Sequence, residues 1–294
     1  MTAESSCESF AGLVPTAVQA SAIVVENVPM ARDTWRIRVV CPEIAKQIVP
    51  GQFFMVRDPK LTDPMLGRPF ALLDTWSDES GETIGVEFGY LVVGKLTRHM
   101  TTWQDGDEIS LWGPLGNGFP LTTARSPLLV AGGIGQTPFV AVGRELLGRS
   151  RYGSPARELT GTVESVRLCY GVRSDAYLAG IELFQDAGLD VQVSTDDGSF
   201  GHHGFVTELV QQAIGGTNRP DVIFCCGPEP MMGAVSEIAQ AAGIPCWLSL
   251  ESPMACGFGI CFSCVTKVRM DDGSWDYRRT CIEGPVFPAE KLCL

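Results

Sequence analysis

The sequence predicts a multidomain β plus α/β chain: an antiparallel β-barrel, then a parallel-sheet α/β domain, then a small cysteine-bearing segment. Three observations predict it. Short β-rich runs broken by turn residues run from Ser21 to Gly113. Strand and helix patterns then alternate from about Arg125 to Glu251. Four of the eleven cysteines crowd into a short stretch of the remainder, from Cys256 to Cys281. The chain has 294 residues, which at roughly 150 residues per domain suits two domains and an appendage. An apolar fraction of 45% supplies material for their cores.

Taken in order, residues 1–18 are small and polar and read as a flexible tail. The barrel is assigned to 19–123. Its strands are SAIVVENV, TWRIRVVC, QFFMVRD, FALLDTW, IGVEFGYLVV and DEISLWG, divided by PGQ, DPM, SDESGE, QDGD and GPLGNG. Several short strands at such spacing argue for an antiparallel barrel or sandwich. The α/β domain is assigned to 124–250. PLLVAGGIGQTPFVAVGRELLG is a buried strand, a glycine turn and a helix, and three further strand–helix pairs follow before the strand IPCWLSL. Such alternation implies a parallel sheet covered on both faces. RSRYGSPARELTGTVES interrupts it as a polar surface loop, and His202 and His203 fall in a Gly-flanked turn. Residues 251–294 form the cysteine segment.

Composition narrows the function. The formal charge is −12 and the sequence pI about 4.7, a balance that repels phosphate backbones and anionic lipid. Nucleic acid and membrane surfaces are therefore not expected partners. Three histidines leave little for His-based acid–base chemistry, so a hydrolase is not expected either. No stretch approaches the ~20 apolar residues of a spanning helix. The start has no positive n-region or apolar h-region, which predicts the cytoplasm. Clustered cysteines there suggest metal or redox work.

The segment from Glu251 spaces Cys256, Cys261, Cys264 and Cys281 as C-x4-C-x2-C, sixteen residues, then C. Three thiolates in one tight loop with a fourth returning from a hairpin is the plant-type [2Fe–2S] arrangement. Two irons need four soft anionic ligands, and Gly257 and Gly259 let backbone wrap close. A four-cysteine zinc site stands as the alternative, although it usually comes as two short knuckles and only one short pair is present. The cysteines at 7, 41, 169, 225, 226, 246 and 293 read as small hydrophobes. VAGGIGQTPF and FCCGPEPMM are glycine turns at the carboxyl ends of two strands of one sheet, where such folds bind ligands. In GRPFAL, Arg68 can pair with a phosphate while Pro69 fixes the backbone.

The series RPFAL, YLVVGKLT, GPLGNGF, GGIGQTPF, CGPEPMM and the four-cysteine ending resembles the ferredoxin–NADP reductase superfamily. With TDDGSFGHHGFVT and MACGFGICFSCV…RRTCIEGPVF, it is similar within that superfamily to the electron-transfer subunits of NAD-dependent dihydroorotate dehydrogenases, over about residues 20–290. The resemblance implies FAD held by Arg68, Pro69, Phe70 and Ala71, then by Gly89, Tyr90, Leu91, Leu96 and Thr97. It implies NAD pyrophosphate at Gly132, Gly133, Ile134 and Gly135, with Cys226, Gly227 and Pro228 near the nicotinamide. Ala71 stands where the family usually has a hydroxyl, and Leu96 where it usually has glycine. The implied partner is an FMN-containing catalytic subunit in a heterotetramer of two copies of each chain, serving pyrimidine biosynthesis. No catalytic acid or base is expected on this chain. Two other readings remain: a reductase subunit of a hydrogenase or ferredoxin:NADP oxidoreductase system, and a zinc-stapled binding module.

Overall fold

The computed structural model describes residues 14–159 and 161–294, so the first thirteen residues of the expected tail lie outside it. The first sheet has seven strands: β1 (Val18–Ala31), β2 (Thr34–Val40), β3 (Phe53–Arg57), β4 (Arg68–Ala71), β5 (Asp74–Ser77), β6 (Thr83–Leu91) and β7 (Glu108–Leu115). Its order is β4-β3-β7-β1-β2-β6-β5, antiparallel throughout. Only Leu72 and Leu73 separate the two edge strands β4 and β5, so the sheet curls back on itself around a core that includes Ile37, Phe54, Phe88 and Tyr90. Short helices α1 (Pro42–Ala45) and α2 (Lys95–Met100) plug its ends.

The second sheet takes β8 (Pro127–Gly132), β9 (Arg167–Val172), β10 (Asp190–Thr195), β11 (His202–His203), β12 (Val222–Cys226) and β13 (Cys246–Ser249), all parallel. Helices α3 (Phe139–Leu146), α4 (Ile181–Asp186), α5 (Val206–Gly215) and α6 (Glu229–Ala242) cover it, and an apolar core fills each face. A hairpin follows, β14 (Val265–Arg269) with β15 (Trp275–Arg279). One turn, α7 (Thr280–Glu283), then leads to β16 (Val286–Pro288), which pairs antiparallel to β13 and ties the cysteine segment to the sheet edge. The spatial order is β11-β10-β9-β8-β12-β13-β16. From β8 the chain fills one side of the sheet and later crosses to the other, so β8 and β12 flank the switch point where open α/β sheets bind ligands.

Two expectations need correction. His202 and His203 form the edge strand β11, because their backbone pairs with Ser194 and Thr195. The loop after α3 is more than a surface excursion. Tyr152 is 3% exposed and its hydroxyl donates to Asp74 Oδ1 at 2.7 Å. Arg157 donates to the Phe119 carbonyl and pairs with buried Glu145. Both contacts join the α/β domain to the barrel side, since Asp74 sits on β5 and also accepts from Arg144 of α3. Burial pushes the Asp74 carboxyl up, opposed first by the Tyr152 hydrogen bond and then by the Arg144 charge. Replacing Tyr152 by Phe removes one donor from that carboxylate. The expected cost is about 1–3 kcal/mol, read as a lower urea midpoint at unchanged slope.

Candidate functional site

Pro69 offers no N–H, so RPFA suits the edge strand β4, which pairs only with β3. Arg68 is exposed, and its Nη1 donates to the carbonyls of Leu66 and Gly67 at 3.0 Å each, leaving the rest of the guanidinium outward. Phe70 leans on Phe88, ring centroids 5.1 Å apart, and Ala71 is half-buried opposite Phe53. On β6, Tyr90 is 1% exposed and its hydroxyl donates to Asn27 Oδ1 inside the barrel. Leu96 is likewise buried in the barrel core. These two residues therefore offer an outside ligand their backbone and not their side chains. Leu91 is half-buried at the end of β6. Thr97 closes its own turn, its Oγ1 accepting from the N–H groups of Val93 and Gly94 at 3.0 and 2.9 Å.

The two glycine turns interlock. Ala131 and Cys226 are register partners at the ends of β8 and β12, so residues 132–135 and 226–228 leave the sheet side by side. A Cβ at Gly135 would overlap the Cys226 carbonyl and stand 2.8 Å from Gly227 Cα, and one at Gly132 would meet Pro228 Cδ at 2.8 Å. Gly133, at φ +54°, would carry a Cβ into open space, so a pyrophosphate can approach the backbone there. Gly89 of β6 packs on this turn: a Cβ there would lie 3.1 Å from Thr137 Oγ1 and 3.4 Å from Ile134 Cδ1. Burial pushes the Cys226 thiol up to about 12, helped by the Glu251 charge and opposed by a Ser249 hydrogen bond. It is a neutral group at physiological pH.

The four spaced cysteines converge as two pairs. Cys256 Sγ lies 3.3 Å from Cys261 Sγ, and the Cys281 thiol hydrogen-bonds Cys264. Cys256 lies near enough for its charge to push the Cys281 thiol up, so the two pairs are neighbours. Two pairs of soft donors suit a binuclear cluster, each iron taking two thiolates. Hydrogen bonds from the Ser263 hydroxyl and N–H hold Cys261 down to about 6. The Cys281 thiol does the same for Cys264. The thiolate is the ligating form. The Phe258 N–H donates to Cys256 Sγ at 3.3 Å. Cys264 and Cys281 are buried against Phe53, Met55 and Leu115 of the barrel, whereas Cys261 is exposed. Of the remaining cysteines, 41, 169, 225 and 246 are buried, 226 is half-buried and 293 exposed; Cys7 lies outside the described residues.

Sequence reasoning missed Trp112. Its Nε1 donates to the Cys256 carbonyl at 3.0 Å, and its ring stacks on Phe258 at 6.1 Å. A Cβ at Gly67, the residue before Arg68, would overlap its ring. Trp112 thus fixes the cysteine loop against the RPFA strand. A buried-looking strand aromatic carries no local signal for that job.

A family model of the iron–sulfur cluster binding domain of dihydroorotate dehydrogenase B matches residues 251–293, and one of the oxidoreductase NAD-binding domain matches 129–237. The chain is 35% identical over 243 residues to the dihydroorotate dehydrogenase B (NAD(+)) electron transfer subunit of Caldanaerobacter subterraneus subsp. tengcongensis, covering 83% of this chain and 86% of that one. It is 33% identical over 274 residues to the corresponding subunit of Geobacillus thermodenitrificans, covering 92% and 97%. The solved structure of an NADH-dependent reduced ferredoxin-NADP oxidoreductase, described for flavin-based electron bifurcation, superposes with a TM-score of 0.76 at 26% identity, covering 93% of this chain and 90% of that one.

Serine at any of positions 256, 261, 264 or 281 is expected to bleach visible iron–sulfur absorption, while Cys41→Ser and Cys169→Ser leave the spectrum unchanged. Gly135→Ala pushes the two glycine turns apart. It is expected to weaken NADH binding at least tenfold, as measured by equilibrium titration, with flavin content unaltered.

Proposed function

The chain belongs to the family of dihydroorotate dehydrogenase B electron transfer subunits, and from that premise we propose that it carries electrons between a catalytic subunit and NAD in pyrimidine biosynthesis. The carrying observation is the convergence of three sites. Gly89 of the RPFA-bearing barrel abuts the glycine turn after β8, and Trp112 ties the same barrel to the Cys256 loop. When bound, NAD exchanges electrons in pairs, FAD in ones or twos, and a [2Fe–2S] cluster singly.

The chain's own residues bind and orient. Arg68 is placed to give a charge-assisted contact to an FAD phosphate, with Pro69, Phe70 and Ala71 along the same edge. The backbone of Gly89, Tyr90 and Leu91, and of Leu96 and Thr97 at α2, completes the flavin side. Gly132, Gly133, Ile134 and Gly135 take the NAD pyrophosphate. Cys226, Gly227 and Pro228 border the nicotinamide, where a neutral thiol adds no charge. Cys256, Cys261, Cys264 and Cys281 hold the cluster. The partner is read as an FMN-containing catalytic subunit in an assembly with two copies of each chain. The described cysteines are all unpaired, which supports a reducing, cytoplasmic setting.

Oxidising dihydroorotate requires a base to take a substrate proton; two of the three histidines here are engaged elsewhere and the third, His203, is exposed on the edge strand β11. His99 Nε2 lies 2.8 Å from Asp58, and His202 Nε2 lies 2.8 Å from Glu208. The isolated chain is therefore expected to reduce artificial acceptors with NADH and to leave dihydroorotate untouched. Adding the catalytic subunit should create dihydroorotate:NAD activity, and Cys256→Ser should abolish it. Dihydroorotate oxidation by this polypeptide alone would overturn the division of labour.

A further inference from the structure

Arg57, the last residue of β3, lines a cavity of about 330 Å³ together with Gln19, Leu66, Trp112, Cys256 and Phe258. Its Nε is buried with no hydrogen-bond partner, and no carboxylate among the described residues pairs with it. Three other half-buried arginines are treated differently. Arg36 faces Glu26 and Glu87, Arg144 faces Asp74, and Arg157 faces Glu145. The Arg57 side chain as a whole is half-buried, and a charged donor with one N–H withdrawn from water and unpaired is costly unless an acceptor meets it. The chain carries 34 Asp and Glu residues against 22 Lys and Arg, yet none of the described ones supplies that acceptor.

We infer that this cavity is a receptor for a carboxylate side chain of the catalytic subunit, seated beside the cysteine loop. The inference rests on the functional reading above. A planar guanidinium matches a carboxylate in bidentate fashion, and Trp112, Leu66 and Phe258 give it an open apolar surround that a docked partner would close over. The rim is what selects a protein over a free anion. Met65, Leu66, Phe258, Ile260 and Phe262 are 67%, 51%, 41%, 76% and 62% exposed and lie on the two segments that border the cavity. A small anion has no use for such an apolar apron, whereas a protein interface places an apolar core around a few desolvated polar anchors. Cys256 belongs both to the cavity wall and to the thiol set, so a partner anchored at Arg57 sits against the loop through which electrons leave.

The test titrates the cofactor-loaded chain with the separately purified catalytic subunit at low and moderate salt. Four chains are compared: wild type, Arg57→Gln, Arg57→Lys and Leu66→Asp. Arg57→Gln should weaken assembly by at least about thirtyfold, the range for removing one partner of a desolvated charge pair, and should flatten its salt dependence. Arg57→Lys keeps the charge but not the fork, and should fall between. Leu66→Asp offers the guanidinium a carboxylate from its own chain and should weaken assembly while leaving Arg57 intact. Flavin and iron content should match wild type in all four. Wild-type affinity and salt dependence in Arg57→Gln would overturn the inference, as would loss of flavin in that variant, which would assign Arg57 to the cofactor. If Arg57→Gln does not fold, unchanged affinity in both Arg57→Lys and Leu66→Asp overturns it equally. Failure of the wild-type chain to assemble would instead strike the functional reading itself.

Discussion

How closely three backbone segments can approach one another governs this molecule. Each join between the prospective sites is made where a side chain is missing. Gly135 lies against the Cys226 carbonyl, Gly89 against Thr137, Gly67 against the Trp112 ring, and Gly257 against Met55 and Leu115. A methyl group at Gly135, Gly67 or Gly257 would stand closer than van der Waals contact permits, so a neighbour would have to move. At Gly89 the fit is tight without overlap. Electron transfer asks for cofactors held near one another in fixed geometry, and these omitted side chains are how the chain meets that demand with ordinary sheet and helix packing.

Close approach would be of little use across a loose hinge, and the domain joint is not loose. Asp74, on the barrel edge next to the curl at Leu72 and Leu73, collects Arg144 and the Tyr152 hydroxyl from the α/β side. The Ala141 N–H donates to the Leu73 carbonyl at 3.1 Å, and Arg157 reaches from Glu145 to the Phe119 carbonyl. Breaking such a pair leaves a buried carboxylate uncompensated, which costs more than the pair contributes. The joint is therefore held less by net attraction than by the penalty for parting.

Much of this was legible in the sequence because it was written in local patterns. Period-two runs with turn residues mark the barrel, and strand–glycine–helix units mark the parallel sheet. The C-x4-C-x2-C spacing brings thiols together whatever surrounds them. What escaped reading was long-range. Nothing near Trp112 announces a contact with Cys256, 144 positions later, and nothing near Tyr152 announces Asp74, 78 positions earlier. The loop after α3 looked solvated because its polar residues were counted without the partners that bury them. His202 and His203 looked like a turn because a two-residue strand depends wholly on its neighbour. The inward aim of Tyr90 and Leu96 is likewise a property of the closed barrel, not of the strand or helix that carries them.

The cysteine loop has a direction. Cys264 and Cys281 face the barrel, buried with Phe53, Met55 and Leu115, while Cys261 faces solvent beside exposed Ile260 and Phe262. Cluster potentials respond to solvent exposure and to hydrogen bonds at sulfur, so the two thiol pairs present unlike environments to anything they hold. The buried pair lies behind β3, whose other neighbour is the RPFA strand. The exposed pair lies in the apolar apron that closes around the Arg57 cavity. One side of the loop is thereby committed to the chain's own barrel and the other to whatever docks outside. An acidic surface that discourages chance contacts makes that apolar face, with the Arg57 guanidinium unmatched among the described residues, the place where a specific partner is told from the rest.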